Sequence, residues 1–217
     1  MTTSGTITAT MTAREIINKA LARLAIIASG ETATSDEAQD AMVDLGLMLK
    51  SWQTDCNLWR EEEVTFVATT VETVLEPRCI DVIEARIETP YERPLARWEW
   101  GDYINIPTKT QAGTPSCFTV RKQRDSVSML LWPAPSIARP ANVVCTVARV
   151  IEDVTDLEQT IDVPQEWIEC VVLNLAVIIA PSYGATPSPL VMQRADTLLT
   201  QMRDLDRPAS YSMGPFR

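Results

Sequence analysis

Hydrophobic residues in the first sixty positions recur every three or four residues, which is the spacing of one buried helix face. Thr12 and Glu15 form a capping-box pattern that opens a first predicted helix, and Gly30 is its expected stop. Thr34 and Glu37 repeat the pattern for a second helix. The two apolar faces are Ile16, Ile17, Ala20, Leu21, Leu24 and Ile27, and Ala38, Met42, Leu45, Met48, Leu49 and Trp52. The short connection between them predicts an antiparallel helical hairpin.

Apolar and polar residues alternate after Trp59, as they do in half-buried strands. The segment 99–106 interrupts this alternation with the spacing of a helical turn, which ends at Pro107. The predicted strands cover 64–68, 71–75, 80–87, 95–98, 117–120, 126–132 and 143–151. The short turns between them predict an antiparallel sheet or a small sandwich.

Helical spacing returns in the last quarter of the chain. Pro164 lies at a predicted helix start, and the apolar face that follows stops at Ala180 and Pro181, before Tyr183 and Gly184. A last helix begins at Pro187 or Pro189 and ends before Pro208. Its predicted buried face is Val191, Ala195, Leu198, Leu199, Met202 and Leu205.

These elements predict an α+β fold. Two N-terminal and two C-terminal helices form a small antiparallel helical bundle that carries an inserted antiparallel β domain and an extended C-terminal tail. The bundle is expected to cover residues 1–60 and 160–207, the β domain 61–159 and the tail 208–217. A chain of 217 residues is long enough to bury such a core.

Composition removes several classes of chemistry. The chain has no histidine, which excludes Ser-His-Asp and Cys-His catalysis as well as histidine metal sites. The five cysteines form no Cys-x-x-Cys pair and are expected to be reduced core residues. Without histidine or a Cys-x-x-Cys pair we expect no metal, and without a glycine-rich phosphate loop we expect no other cofactor.

The charge balance is acidic, with a net charge of −10 and an isoelectric point near 4.6. Such a surface repels DNA, which suits either a channel through which DNA slides or simple solubility. Arg121, Lys122 and Arg124, with Phe118 nearby, are a weak basic turn and leave a channel-lining, DNA-contacting module as an alternative. No apolar run approaches the ~18 residues of a membrane span, and no signal peptide is visible, so we expect a cytoplasmic chain without a membrane.

Four segments, taken in order, resemble the head-to-tail adaptor proteins of short-tailed bacteriophages, also called tail accessory or packaged-DNA-stabilisation proteins. The first is the helix pair at 22–49, and the second is Lys-Ser-Trp-Gln-Thr-Asp-Cys-Asn-Leu-Trp at 50–59. The third runs from Pro94 to Pro115 and is followed by Leu-Trp-Pro-Ala-Pro at 131–135. The fourth is Val-Pro-Gln-Glu-Trp at 163–167.

This resemblance implies a structural virion protein and not an enzyme. Family members form a twelvefold ring that extends the channel of the portal protein, retains the packaged DNA and docks tail or nozzle proteins. DNA passes through without sequence-specific binding, at the head–tail junction of a virion assembled in the host cytoplasm. Trp98 and Trp100 lie where relatives have a polar turn, and Cys56 replaces a glycine.

Two groups of residues are candidates for portal or subunit contacts. Trp98 and Trp100 are expected on one strand face, where they either pack inside or meet another subunit. Trp52 and Trp167 are expected in the core. The candidates in the tail are Arg207, Tyr211, Phe216 and Arg217.

An enzyme is the rival hypothesis. Glu152, Asp153 and Asp156 cluster after the last predicted strand, and two carboxylates suffice for glycoside hydrolysis. A virion-associated peptidoglycan hydrolase therefore remains an alternative, although an acidic turn is more often a solvated loop.

Overall fold

The computed structural model describes residues 9–28, 30–54, 58–76, 78–89 and 91–205. They form a mixed α+β structure with five α-helices and two β-sheets. The helices are α1 Ala13–Arg23, α2 Ser35–Trp52, α3 Trp100–Ile104, α4 Ile168–Ile179 and α5 Pro189–Leu205. The chain divides into two compact units. The helical unit is Met1–Trp59 with Ile151–Arg217, and the β unit is Arg60–Val150.

Both predicted capping boxes are confirmed. The Thr12 hydroxyl accepts the amide of Glu15, whose carboxylate accepts the Thr12 amide at 2.9 Å. Thr34 and Glu37 repeat the arrangement at the start of α2. These contacts span three residues, so the local sequence is sufficient to specify them.

The predicted end of the first helix is wrong. Helix α1 ends at Arg23 and not near Gly30. Ala25 adopts a left-handed conformation with φ 55°, its amide donates to the Ala22 carbonyl, and the Ile26 amide donates to the Leu21 carbonyl. These two hydrogen bonds form a Schellman motif, in which alanine occupies the position that glycine usually takes.

The core of the helical unit is drawn from α1, α2, α4 and α5. Trp52 and Trp167 are buried there, with ring centroids 5.8 Å apart, as the sequence predicted. Residues 151–159, which we expected in the inserted domain, belong to this unit: Ile151 is buried in its core and the Leu157 carbonyl accepts the amide of Arg14.

Two short 3₁₀ turns flank α4, at Gln165–Trp167 and at Ala180–Tyr183, and Gly184 closes the second turn with φ 61°. Among the described residues, Gln165–Tyr183 is long and apolar enough to cross a membrane by length and composition alone, with a mean hydropathy of 1.4. This corrects the expectation that no segment approaches that length. Half of the window is buried inside the protein, and the core helix of a soluble protein passes the same test.

The β unit contains two four-stranded sheets. The strands are β1 Glu61–Ala68, β2 Glu72–Val74, β3 Cys79–Ile87, β4 Arg93–Pro94, β5 Ala96–Arg97, β6 Cys117–Lys122, β7 Val127–Trp132 and β8 Ala141–Arg149. Their orders are β1-β8-β3-β4 and β2-β7-β6-β5. All pairs are antiparallel except β5 with β6. Side chains of both sheets, such as Val143 and Phe118, form one hydrophobic cluster.

The first and last strands of the β unit are neighbours. Strand β1 pairs with β8 along its whole length, with Glu61 opposite Ala148. The chain therefore enters and leaves this unit on adjacent strands. The two-residue strand β4 was not predicted, because so short a segment has no alternation to recognise.

Candidate interaction surfaces

Trp98 and Trp100 do not share a strand face, which corrects the prediction. Trp98 follows β5 and is half-buried, and its ring stacks on that of Trp132 with centroids 5.8 Å apart. Trp100 is the first residue of α3, is 41% exposed and stacks on Tyr103 at 5.8 Å. The change of direction occurs at Glu99, which caps α3 in an extended conformation.

The surroundings of these rings form an aromatic patch on the β unit. The Trp98 amide donates to the Phe118 carbonyl at 2.8 Å and the Trp132 indole donates to the Thr108 carbonyl at 3.1 Å, so both residues are held in place. The ammonium of Lys109 lies 5.8 Å from the Tyr103 ring centroid. Trp100 and Ile104, one helical turn apart, are 41% and 51% exposed. Their chemistry is that of an apolar contact surface.

The four candidate residues of the tail, Arg207, Tyr211, Phe216 and Arg217, lie outside the described residues. Their proposed contact with a portal therefore stays a prediction.

A second surface, which the sequence analysis missed, lies on α2. A groove of about 440 Å³ is lined by the acidic residues of this helix together with Ser182 and Tyr183. The lining carboxylates are Asp36, Glu37, Asp40 and Asp44. Val43 also lines it and is 55% exposed, and Leu47, one turn further, is 65% exposed. The sequence could have indicated this surface, because Val43 and Leu47 are apolar but lie outside the predicted buried face of α2.

The α2 groove is electronegative. Burial, and after it the charges of the nearby carboxylates, raise the pKa of the Tyr183 hydroxyl above its usual value. That hydroxyl donates to the Glu37 carbonyl at 3.4 Å. Hydrogen bonds from the hydroxyl and the amide of Thr34 lower the pKa of the Glu37 carboxyl. The groove therefore favours a partner that carries positive charge.

Two carboxylates of the hydrolase alternative, Asp153 and Asp156, have structural partners. Glu152 and Asp153 line a pocket of about 310 Å³ in the helical unit, and Asp156 does not. Asp153 lies 2.7 Å from the Lys50 ammonium and is 72% exposed, and Asp156 accepts the Glu158 amide at 2.8 Å. Glu152 is also exposed. A carboxyl that acts as general acid requires a drier environment, which keeps it protonated near neutral pH.

The basic turn of the DNA-contacting alternative consists of Arg121, Lys122 and Arg124. Arg121 is paired with Glu72 at 2.5 Å and Lys122 with Asp81 at 3.1 Å. Phe118 is 1% exposed, so its ring is not available to stack on a base. Arg124 lies 3.6 Å from Asp125, so all three cations are paired with acids of the β unit, which leaves less charge for phosphates.

The described cysteines, Cys79, Cys117, Cys145 and Cys170, are buried, reduced thiols, as expected, whereas Cys56 lies outside the described residues. Burial raises the pKa of Cys145 to about 12 and also raises the pKa values of Cys79 and Cys117. These thiols are therefore poor nucleophiles. Within the described ranges, no three Cys, Asp or Glu side chains come together in a way that could hold a metal ion.

Comparison with known proteins gives no match: no family model fits the chain, and no curated protein is significantly similar to it. The likeness to phage adaptors therefore rests on the four sequence segments alone.

Proposed function

We propose that this protein is a head-to-tail adaptor of a tailed bacteriophage. Twelve copies form a ring beneath the portal protein, extend its DNA channel, retain the packaged genome and dock the tail. The protein acts at the head–tail junction of the virion, after assembly in the host cytoplasm, without catalysis and without sequence-specific DNA contacts.

The order of elements supports this proposal. Helices α1, α2, α4 and α5 share one core, and the described residues that form it lie outside 60–150. We interpret the helices as the small bundle of the adaptor family and residues 60–150 as its inserted antiparallel domain.

Two different exposed apolar surfaces are the observation that carries the proposal. A cyclic ring is built from heterologous contacts, so each subunit must present two unlike faces. The helical unit exposes Val43 and Leu47 of α2, and the β unit exposes Trp100 and Ile104 of α3. Trp100 is of a residue type enriched at binding hot spots, and neighbouring exposed apolar side chains are typical of interaction surfaces.

The first test is the mass of the purified protein, measured alone and after mixing with rings of the portal protein from the same virus. Twelve copies of the 24.1 kDa chain form a ring of about 290 kDa. We expect either this ring or monomers that bind the portal twelve at a time. If the protein stays monomeric and does not bind the portal rings, the proposal is wrong.

A further inference from the structure

The outward face of α2 combines acidic and apolar residues. Asp36, Asp40 and Asp44 recur every fourth residue, and Val43 and Leu47 lie beside them with more than half of each side chain exposed. Within the described part of the helical unit, the ion pairs are formed by other acids. This face therefore has apolar surface to bury and negative charge to neutralise.

A complementary face lies on α1. Lys19 and Arg23 are exposed, one helical turn apart, and Ala22 lies between them in sequence. Neither cation is engaged in an ion pair with another described residue of the helical unit. Lys19 and Ala22 also line a groove of about 610 Å³, together with Met11 and Ala28, and the acids Glu15 and Glu31 lie on the same groove.

We propose that the α2 face of one copy docks against the α1 face of the next copy and forms the repeating contact of the ring. This inference rests on the proposed adaptor function, because it names the occupant of one of its surfaces. The two faces differ, so the contact is heterologous, as cyclic closure requires.

Spacing and charge support this pairing. Residues four apart on a helix are separated by about 6 Å along its axis, so Asp40 and Asp44 match the separation of Lys19 and Arg23. Opposite charges set the register, while Val43 and Leu47 pack against the apolar part of the α1 groove, Met11, Ala22 and Ala28.

Charge reversal tests the contact in the full-length protein. One variant carries Asp40→Lys with Asp44→Lys, and the other carries Lys19→Glu with Arg23→Glu. Each variant by itself brings like charges together at the contact. We therefore expect the fraction of assembled protein to fall about tenfold or more, whether the mass is measured for the purified protein or after mixing with portal rings.

An equal mixture of the two variants provides the decisive measurement. In a ring where the variants alternate, every contact again joins an acidic to a basic face, and twelve positions allow strict alternation. We expect the mixture to restore the wild-type mass. As a matched control, Glu152→Lys with Asp196→Lys reverses two exposed acids elsewhere in the helical unit and leaves assembly unchanged.

Three results overturn the inference. The first is that either charge-reversed variant assembles like the wild type. Failure of the Asp40→Lys, Asp44→Lys variant alone is one such case, and is the expected result if the α2 face binds a basic helix of the portal. The second is that both variants fail and the mixture does not recover. The third is a wild-type protein that neither forms a ring nor joins the portal, which removes the adaptor function itself and is seen before any variant is made.

Discussion

At the scale of single residues, Ala25 is the clearest example of local strain. It lies in the left-handed region, with φ 55°, in the motif that ends α1. For alanine this conformation costs roughly 1 to 2 kcal/mol, because its Cβ approaches the carbonyl oxygen of the backbone. The side chain is exposed, so packing does not compensate for this cost directly.

Replacing Ala25 by glycine should stabilise the protein. Glycine removes the steric cost but gains freedom in the unfolded chain, so we expect a net increase of about 0.5 to 1 kcal/mol in the free energy of unfolding. Urea denaturation followed by circular dichroism gives the value. Ala22→Gly, an exposed change inside the same helix, is the control and should destabilise by about 1 kcal/mol. If both variants destabilise, the assignment of the left-handed cap is wrong.

The aromatic residues show what a sequence reveals at this scale and what it conceals. Trp52 and Trp167 were assigned to the core because helical spacing places them on apolar faces, and both are buried. Trp98 and Trp100 were placed on one strand face, because alternation alone does not reveal that α3 begins at Trp100. The partners of Lys122 were equally hidden, since its ion pair with Asp81 depends on contacts between distant strands.

At the scale of elements, the starts of α1 and α2 and the end of α4 at Ile179 were predictable, and the end of α1 was not. A capping box is complete within four residues, as at Thr12 and Thr34, so its signal is local. The end of α1 depends on two hydrogen bonds that close around Ala25, and the sequence there contains no glycine. Gly30 does have positive φ, but it lies beyond the helix.

The cap of α2 gives a prediction with a pH dependence. Thr34→Ala removes both the cap and the hydroxyl that hydrogen-bonds the Glu37 carboxylate at 2.7 Å, and should cost about 1 kcal/mol at pH 7. The pKa of Glu37 is lowered in the folded protein, so its stabilising contribution is present above the ordinary value of 4.5 and is lost as the pH falls through the lowered pKa.

The difference in unfolding free energy between wild type and Thr34→Ala should therefore narrow on acidification below about pH 4.5. Urea titrations at pH 7 and pH 3 measure it. Thr34→Ser keeps the hydroxyl and should retain most of the wild-type stability at both values. If the difference in unfolding free energy between wild type and Thr34→Ala increases in acid, the cap does not stabilise the charged form of Glu37.

At the scale of the whole molecule, the helical core and the central segment are built from different parts of the chain. Every described buried residue of that core lies outside 60–150, and the segment begins and ends on the adjacent strands β1 and β8. Paired strands bring their Cα atoms to within about 5 Å, which a few residues can span.

Replacing residues 60–150 by a short Gly-Ser linker should therefore leave a helical protein that unfolds cooperatively. Far-ultraviolet circular dichroism and thermal unfolding measure this, and the complementary fragment 60–150 should give a β-type spectrum. The opposite result is that the linked helices bind hydrophobic dyes and melt without a cooperative transition. The helical core would then need the central segment to fold stably, and the two units would not be independent in stability.

The pairing of β1 with β8 also makes it easier to exchange the central segment for another domain. Because the central segment starts and finishes at one place, another small domain with neighbouring ends could be grafted there without lengthening the path of the chain. A library of grafts at Arg60 and Val150 would give one helical scaffold many different attachments.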